Sequence, residues 1–122
     1  MKRILPDEVY RRRPCSVVSV GCALGLTDKA EIRKLASDEL KKDGYLSLDG
    51  MNKLVRSVLP VEKKETFKRG QRPILRELMK DNTRKAVVCL LGHFIYIDAD
   101  KYYSFFRNGD SPVVCVWWLK EV

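Results

Sequence analysis

A chain of 122 residues with a formal charge of +8 has room for a single domain and little else. Its hydrophobic share of 45% excludes a disordered tail, and no apolar run approaches the roughly 20 residues that cross a bilayer, so no membrane partner is expected. Four cysteines with no CxxC pair, beside a single histidine, offer no zinc spacing, so no metal and no cofactor are expected.

The opening residues, Met1-Lys2-Arg3-Ile4-Leu5-Pro6-Asp7-Glu8, carry no apolar leader core and no small-residue cleavage site. A cytoplasmic protein is the expectation, with free thiols rather than a disulfide framework. Cys22, Cys89 and Cys115 sit among valines and leucines, where a thiol serves as a small buried hydrophobe. The positive charge, 24 Lys and Arg against 16 Asp and Glu, gathers in Arg11-Arg12-Arg13 and again over residues 63–72. Such runs suit docking to an acidic surface or to nucleic acid through Arg11, Arg12 and Arg13. Neither run is interleaved with a recognisable nucleic-acid-binding module.

Residues 1–13 read as a basic arm, extended or turn-like, ahead of a single domain over 14–122. Pro14 suits a helix start, where its missing N–H costs nothing. The apolar or small stretch 15–26 predicts a buried first helix that stops near Gly25. Over 27–42, Ala30, Ile32, Leu35, Ala36 and Leu40 recur at helical spacing with charge between them, an amphipathic helix ended by Gly44. A third helix is predicted over 48–58, with Met51, Leu54, Val55 and Val58 as its apolar stripe and Pro60 closing it. Residues 61–68 alternate and are charged, which fits an edge strand or a loop. Pro73 opens a short fourth helix over 74–80.

The period then changes to two. Strands are predicted over 84–91, 94–97, 102–106 and 113–120. They are divided by Gly92-His93, by Asp98-Ala99-Asp100-Lys101 and by Arg107-Asn108-Gly109-Asp110. Helices first and a meander second predict an α+β domain, its N-terminal helices packed on a C-terminal antiparallel sheet. Trp117 and Trp118 must point to opposite faces, so one of them is expected outside the main core. With Tyr102, Tyr103, Phe105 and Phe106 it suggests an exposed aromatic recognition surface. Asp98-Ala99-Asp100 is too short for a calcium loop.

Two residues carry candidate chemistry. Cys15 heads the first helix, where free N–H groups and the helix dipole favour a thiolate, and Arg11, Arg12 and Arg13 add positive potential. His93 follows a glycine between two strands, where a ring can face a cleft. Each residue type alone is most often structural. Facing each other, they form the minimal unit of thiol catalysis: sulfur attacks and the imidazole shuttles the proton.

The segment Arg13-Pro14-Cys15-Ser16-Val17-Val18-Ser19-Val20-Gly21-Cys22-Ala23-Leu24-Gly25-Leu26 resembles the nucleophile helix of small papain-like cysteine peptidases, including C39-like proteins common in bacteriophage genomes. The block 85–97, with Gly92-His93-Phe94-Ile95-Tyr96-Ile97 at its end, is similar to that family's strand–Gly-His–strand unit. Together these features cover most of residues 13–107. The resemblance implies a papain-like fold, Cys15 as nucleophile, His93 as base, and a peptide or protein substrate. It also implies a group on the following strand that orients the imidazole. Counted from the turn, that position falls at Ser104, with Asp98, Asp100 and Asp110 as substitutes that are more simply turn residues.

One family part is missing. A Gln or Asn shortly before the cysteine would donate to the oxyanion, and none occurs before Asn52. Only backbone N–H groups, such as that of Cys15, are left for the task. The function implied is a thiol hydrolase acting on peptide or amide bonds. One alternative is a catalytically degenerate papain-like domain that binds or builds, as a bacteriophage virion or host-interaction protein in the host cytoplasm or the virion. A second is a basic nucleic-acid-binding protein, which rests on charge alone.

Overall fold

The computed structural model describes residues 1–35 and 47–121. Among these, four α-helices accompany one six-stranded sheet, a mixed α/β domain. The helices are α1 (Cys15–Leu24), α2 (Lys29–Leu35), α3 (Leu48–Val58) and α4 (Leu75–Leu78). The strands are β1 (Lys2–Ile4), β2 (Val61–Thr66), β3 (Lys85–Leu90), β4 (His93–Asp98), β5 (Lys101–Tyr103) and β6 (Val113–Leu119). They lie in the order β1-β5-β4-β3-β6-β2. The predicted run of the second helix through Ala36 and Leu40 to Gly44 lies outside the described residues.

The sheet departs from the expected antiparallel meander at one edge. β1 pairs parallel to β5, with Arg3 opposite Tyr102, while the other neighbours are antiparallel. Residues 1–13 are therefore not a free arm. Lys2-Arg3-Ile4 joins the sheet, a 3-10 turn follows over Glu8–Tyr10, and Tyr10 is 1% exposed. Short, charged strands carry little periodicity, and a partner about a hundred residues away leaves no local trace. At the other edge the charged stretch 61–68 forms β2 against β6.

Both faces of the sheet are covered. On one, α1 and α3 pack Val20, Met51, Leu54 and Val55 against Val87, Tyr96 and Trp117. On the other, Leu75 and Met79, at α4 and its C-terminal end, cover Val88, Ile95, Ile97, Tyr102 and Trp118. This second core overturns the expected aromatic surface. Trp117 and Trp118 do take opposite faces, yet both are buried, as is Tyr102. Each indole N–H has a partner, Asn52 for Trp117 and Glu65 for Trp118, which makes burial affordable. Of the aromatic group only Phe106 is strongly exposed.

α1 is held from its far side by Tyr10. The Tyr10 hydroxyl donates to the Leu26 carbonyl, and its ring fills the space above Gly21. A Cβ at Gly21 would stand 2.5 Å from the Tyr10 oxygen and 2.6 Å from a ring carbon. The ring cannot swing away without losing its hydrogen bond and its burial. Gly21→Ala should therefore destabilise the protein by about 1–3 kcal/mol through overpacking, read as a lower urea midpoint with an unchanged slope. A variant as stable as the parent would show that the ring has room to move.

Candidate active site

The site begins with an uncapped helix. Pro14 occupies the N-cap and has no side chain that can accept, so the first N–H groups of α1 look elsewhere. The N–H groups of Phe94, Cys15 and Ser16 lie close enough to the Cys15 sulfur to favour its charged form. The Phe94 donor is available because of the sheet. β3 and β4 are joined through Leu91-Gly92, and the alternation of pairs turns the Phe94 amide away from β3 toward the β5 side. β5 ends at Tyr103, whose partner is Tyr96, so no strand residue meets Phe94 there. The Cys15 sulfur lies close to this amide.

Phe94 is the residue after His93, so the first helix brings its thiol to the amide adjoining the only histidine. The imidazole Nε2 lies 3.4 Å from Ser104 Oγ. The ring packs edge-on against Phe106, with centroids 5.7 Å apart. Ser104, the residue counted out as the orienter, is 2% exposed. It also meets Asn108 Oδ1 at 2.6 Å and the Phe106 N–H at 3.0 Å.

The inventory at Ser104 decides the histidine tautomer. A hydroxyl has one hydrogen and two acceptor positions. The hydrogen goes to the Asn108 carbonyl oxygen, and one acceptor position takes the Phe106 N–H. What is left for His93 is an acceptor, so Nε2 carries the proton and Nδ1 keeps the lone pair. An outer partner thus sets which nitrogen keeps the lone pair.

Asn108 is the site residue that sequence reasoning missed. Asn-Gly reads as a turn, and a turn it is: Ser111 N–H donates to the Asn108 carbonyl. Its side chain nevertheless points inward. The available signal was its place four residues beyond Ser104 on a loop that must close over the sheet end. The proposed substitutes lie elsewhere. Asp98 ends β4 opposite Lys101, the Asp100 carbonyl accepts from the Lys2 N–H, and Asp110 forms an ion pair with Arg76. Arg11 pairs with Glu8 at 2.8 Å and lies 4.7 Å from the centroid of Phe105.

Burial reverses the expected thiolate. Desolvation raises the Cys15 thiol above its ordinary value, and the three N–H donors recover only part of the difference. Burial lowers the His93 imidazole. Both groups are neutral at rest. The other thiols are less suited to react. Cys22 is pushed up to about 12 by burial and the charge of Asp7. Cys89 and Cys115 are buried opposite one another in the sheet; their mutual hydrogen bond raises the thiol of Cys89 and lowers that of Cys115, and burial keeps both from a substrate. Among the described residues no group of three His, Cys, Asp or Glu side chains is placed to hold a metal.

The lowered imidazole value fixes a pH dependence. The unfolded chain takes up the proton near 6.5, and the folded chain only at lower pH. In that interval the unfolded state binds more protons, so stability rises with pH. This contribution is complete above 6.5 and is lost as pH falls through the folded value. Urea midpoints measured from about pH 5 to 8 should show that slope, and His93→Gln should flatten it. An identical slope in the variant would place the titrating group elsewhere.

No family model matches this chain, and neither does a curated protein or a solved structure. The chemistry of the site therefore has to come from its own geometry.

Proposed function

We propose that this chain is a papain-like thiol hydrolase acting on peptide or amide bonds, with Cys15 as nucleophile and His93 as base. The observation that supports it best is the contact of Ser104 Oγ with His93 Nε2 at 3.4 Å, on a strand whose next amide, that of Phe94, lies close to the Cys15 sulfur. A histidine that only filled space would not need a hydroxyl held by two further groups.

In this reading the neutral pair works by concerted transfer. Nδ1 takes the thiol proton as sulfur attacks the substrate carbonyl, so the thiolate never stands alone in a buried setting. The oxyanion forms beside the N–H groups that already converge on sulfur, those of Cys15, Ser16 and Phe94. These backbone donors replace the missing side-chain amide. The imidazolium returns its proton to the departing amine, leaving a thioester on Cys15. Water, deprotonated by Nδ1, attacks the thioester and releases the acid and the free thiol. Ser104 holds the ring throughout, and Asn108 holds Ser104. Leu91 and Phe106, both more than 60% exposed, give the neighbourhood apolar surface for a substrate chain.

Acyl transfer from p-nitrophenyl acetate tests this without a known substrate. The parent should release nitrophenolate and carry the acetyl group on Cys15, located by peptide mass mapping. Cys15→Ser should carry none there, and His93→Gln should acylate about 10²-fold or more slowly, the usual scale for a lost general base. Ser104→Ala should fall between and move the pH profile, because the ring tautomer is then free. Acylation at Cys15 that ignores His93→Gln would remove the base from the mechanism. An inert Cys15 would leave the binding-module reading in its place.

A further inference from the structure

A second feature of the fold owes nothing to the hydrolase reading. On the sheet face opposite α1, a cavity of about 550 Å³ gathers three arginines from three separate elements. Arg3 comes from β1, Arg76 from α4, and Arg107 from the loop after β5. One carboxylate, Asp110, shares the lining and is paired with Arg76. Arg3 spends one N–H on the Phe105 carbonyl at 3.0 Å. Arg107 has no ion-pair partner among the described residues.

The arrangement is braced. The Arg76 N–H donates to the Gly109 carbonyl at 3.0 Å. A Cβ at Gly109 would meet an Arg76 guanidinium nitrogen at 2.8 Å. That nitrogen and the Met1 terminal methyl, at 2.9 Å, are the ends of flexible side chains, so the guanidinium rests directly on this glycine without being locked there. Holding three cations around one concavity against one anion costs Coulomb energy. A bound anion would offset that cost, and the planar forks of guanidinium match the spaced oxygens of phosphate better than a single carboxylate does.

We infer that this cavity is a binding site for a phosphate-bearing ligand, gripped by Arg3, Arg76 and Arg107. Its floor connects to the relay on the other side of the loop. Tyr102 lines the cavity, and its hydroxyl accepts from the Asn108 N–H at 3.4 Å, while the Asn108 side chain holds Ser104. A filled cavity therefore steadies the loop that positions His93.

Titration of the full chain with inorganic pyrophosphate, followed by amide NMR against potassium chloride at matched ionic strength, tests the site. Saturable shifts are expected at Arg3, Tyr102, Gly109 and Ser111. Arg107→Gln should weaken binding about tenfold, as loss of a charge-assisted fork does, and Arg3→Gln with Arg107→Gln should weaken it further. Arg107 is exposed on a loop, so its variant should keep the parent spectrum elsewhere. Arg33→Gln, on α2, should bind as the parent does. A single-stranded oligonucleotide separates the sources of phosphate. Binding that pyrophosphate displaces and that falls steeply with salt would identify a nucleic-acid backbone. Pyrophosphate binding with no response to the oligonucleotide would identify a small phosphorylated ligand. Shifts that chloride reproduces, or affinity that survives the double substitution, would overturn the proposal. Because no readout uses Cys15, its failure is distinct from failure of the hydrolase.

Discussion

One amide without a strand partner organises the reactive end of this molecule. After Tyr103 the chain leaves β4, while the Ser104 N–H donates to the Ile4 carbonyl and continues the pairing with β1. The Phe94 N–H is then without a strand acceptor, and α1 brings the Cys15 sulfur close to it. The same departure carries Ser104 to the imidazole, so a single break in strand pairing places both the thiol and the group that steers the ring. Parallel pairing of β1 with β5 fixes where that break falls.

The helix start and the sheet act on the thiol in opposite directions. Pro14 leaves N–H groups free to stabilise negative sulfur, while packing against β4 removes the water that would stabilise it better. Desolvation wins, as it does when three neutral dipoles must replace bulk solvent. A neutral thiol resists stray oxidation and alkylation, since the thiolate is the reactive species. In the proposed mechanism it becomes nucleophilic only when a substrate carbonyl arrives to accept the electron pair, which ties reactivity to occupancy.

Much of this architecture was legible in the chain. Helical spacing marked α3 with its observed limits, and branched apolar runs marked β3 and β6 nearly to the residue. The sequence also marks Cys15 and His93, and the family resemblance marks Ser104, whose Oγ lies 3.4 Å from His93 Nε2. What escaped was non-local or two-sided. Lys2-Arg3-Ile4 looks like solvated charge until β5 is beside it. Trp117 and Trp118 signal opposite faces, but nothing local says that α4 will roof the second one. Asn108 carries a strong turn signal that concealed an inward side chain, because the same residue satisfies a turn with its backbone and a relay with its amide.

The hairpin between β3 and β4 has a further consequence. Leu90 pairs directly with His93 across Leu91-Gly92, and Gly92 takes a positive φ that suits the tight reversal. Side chains alternate along β4, so adding or deleting one residue in that reversal would re-aim the imidazole and move Ile95 and Ile97 into the wrong layer. Composition can drift at Leu91, which faces solvent, but loop length cannot. Descendants of this sequence should vary in letters there and stay constant in number.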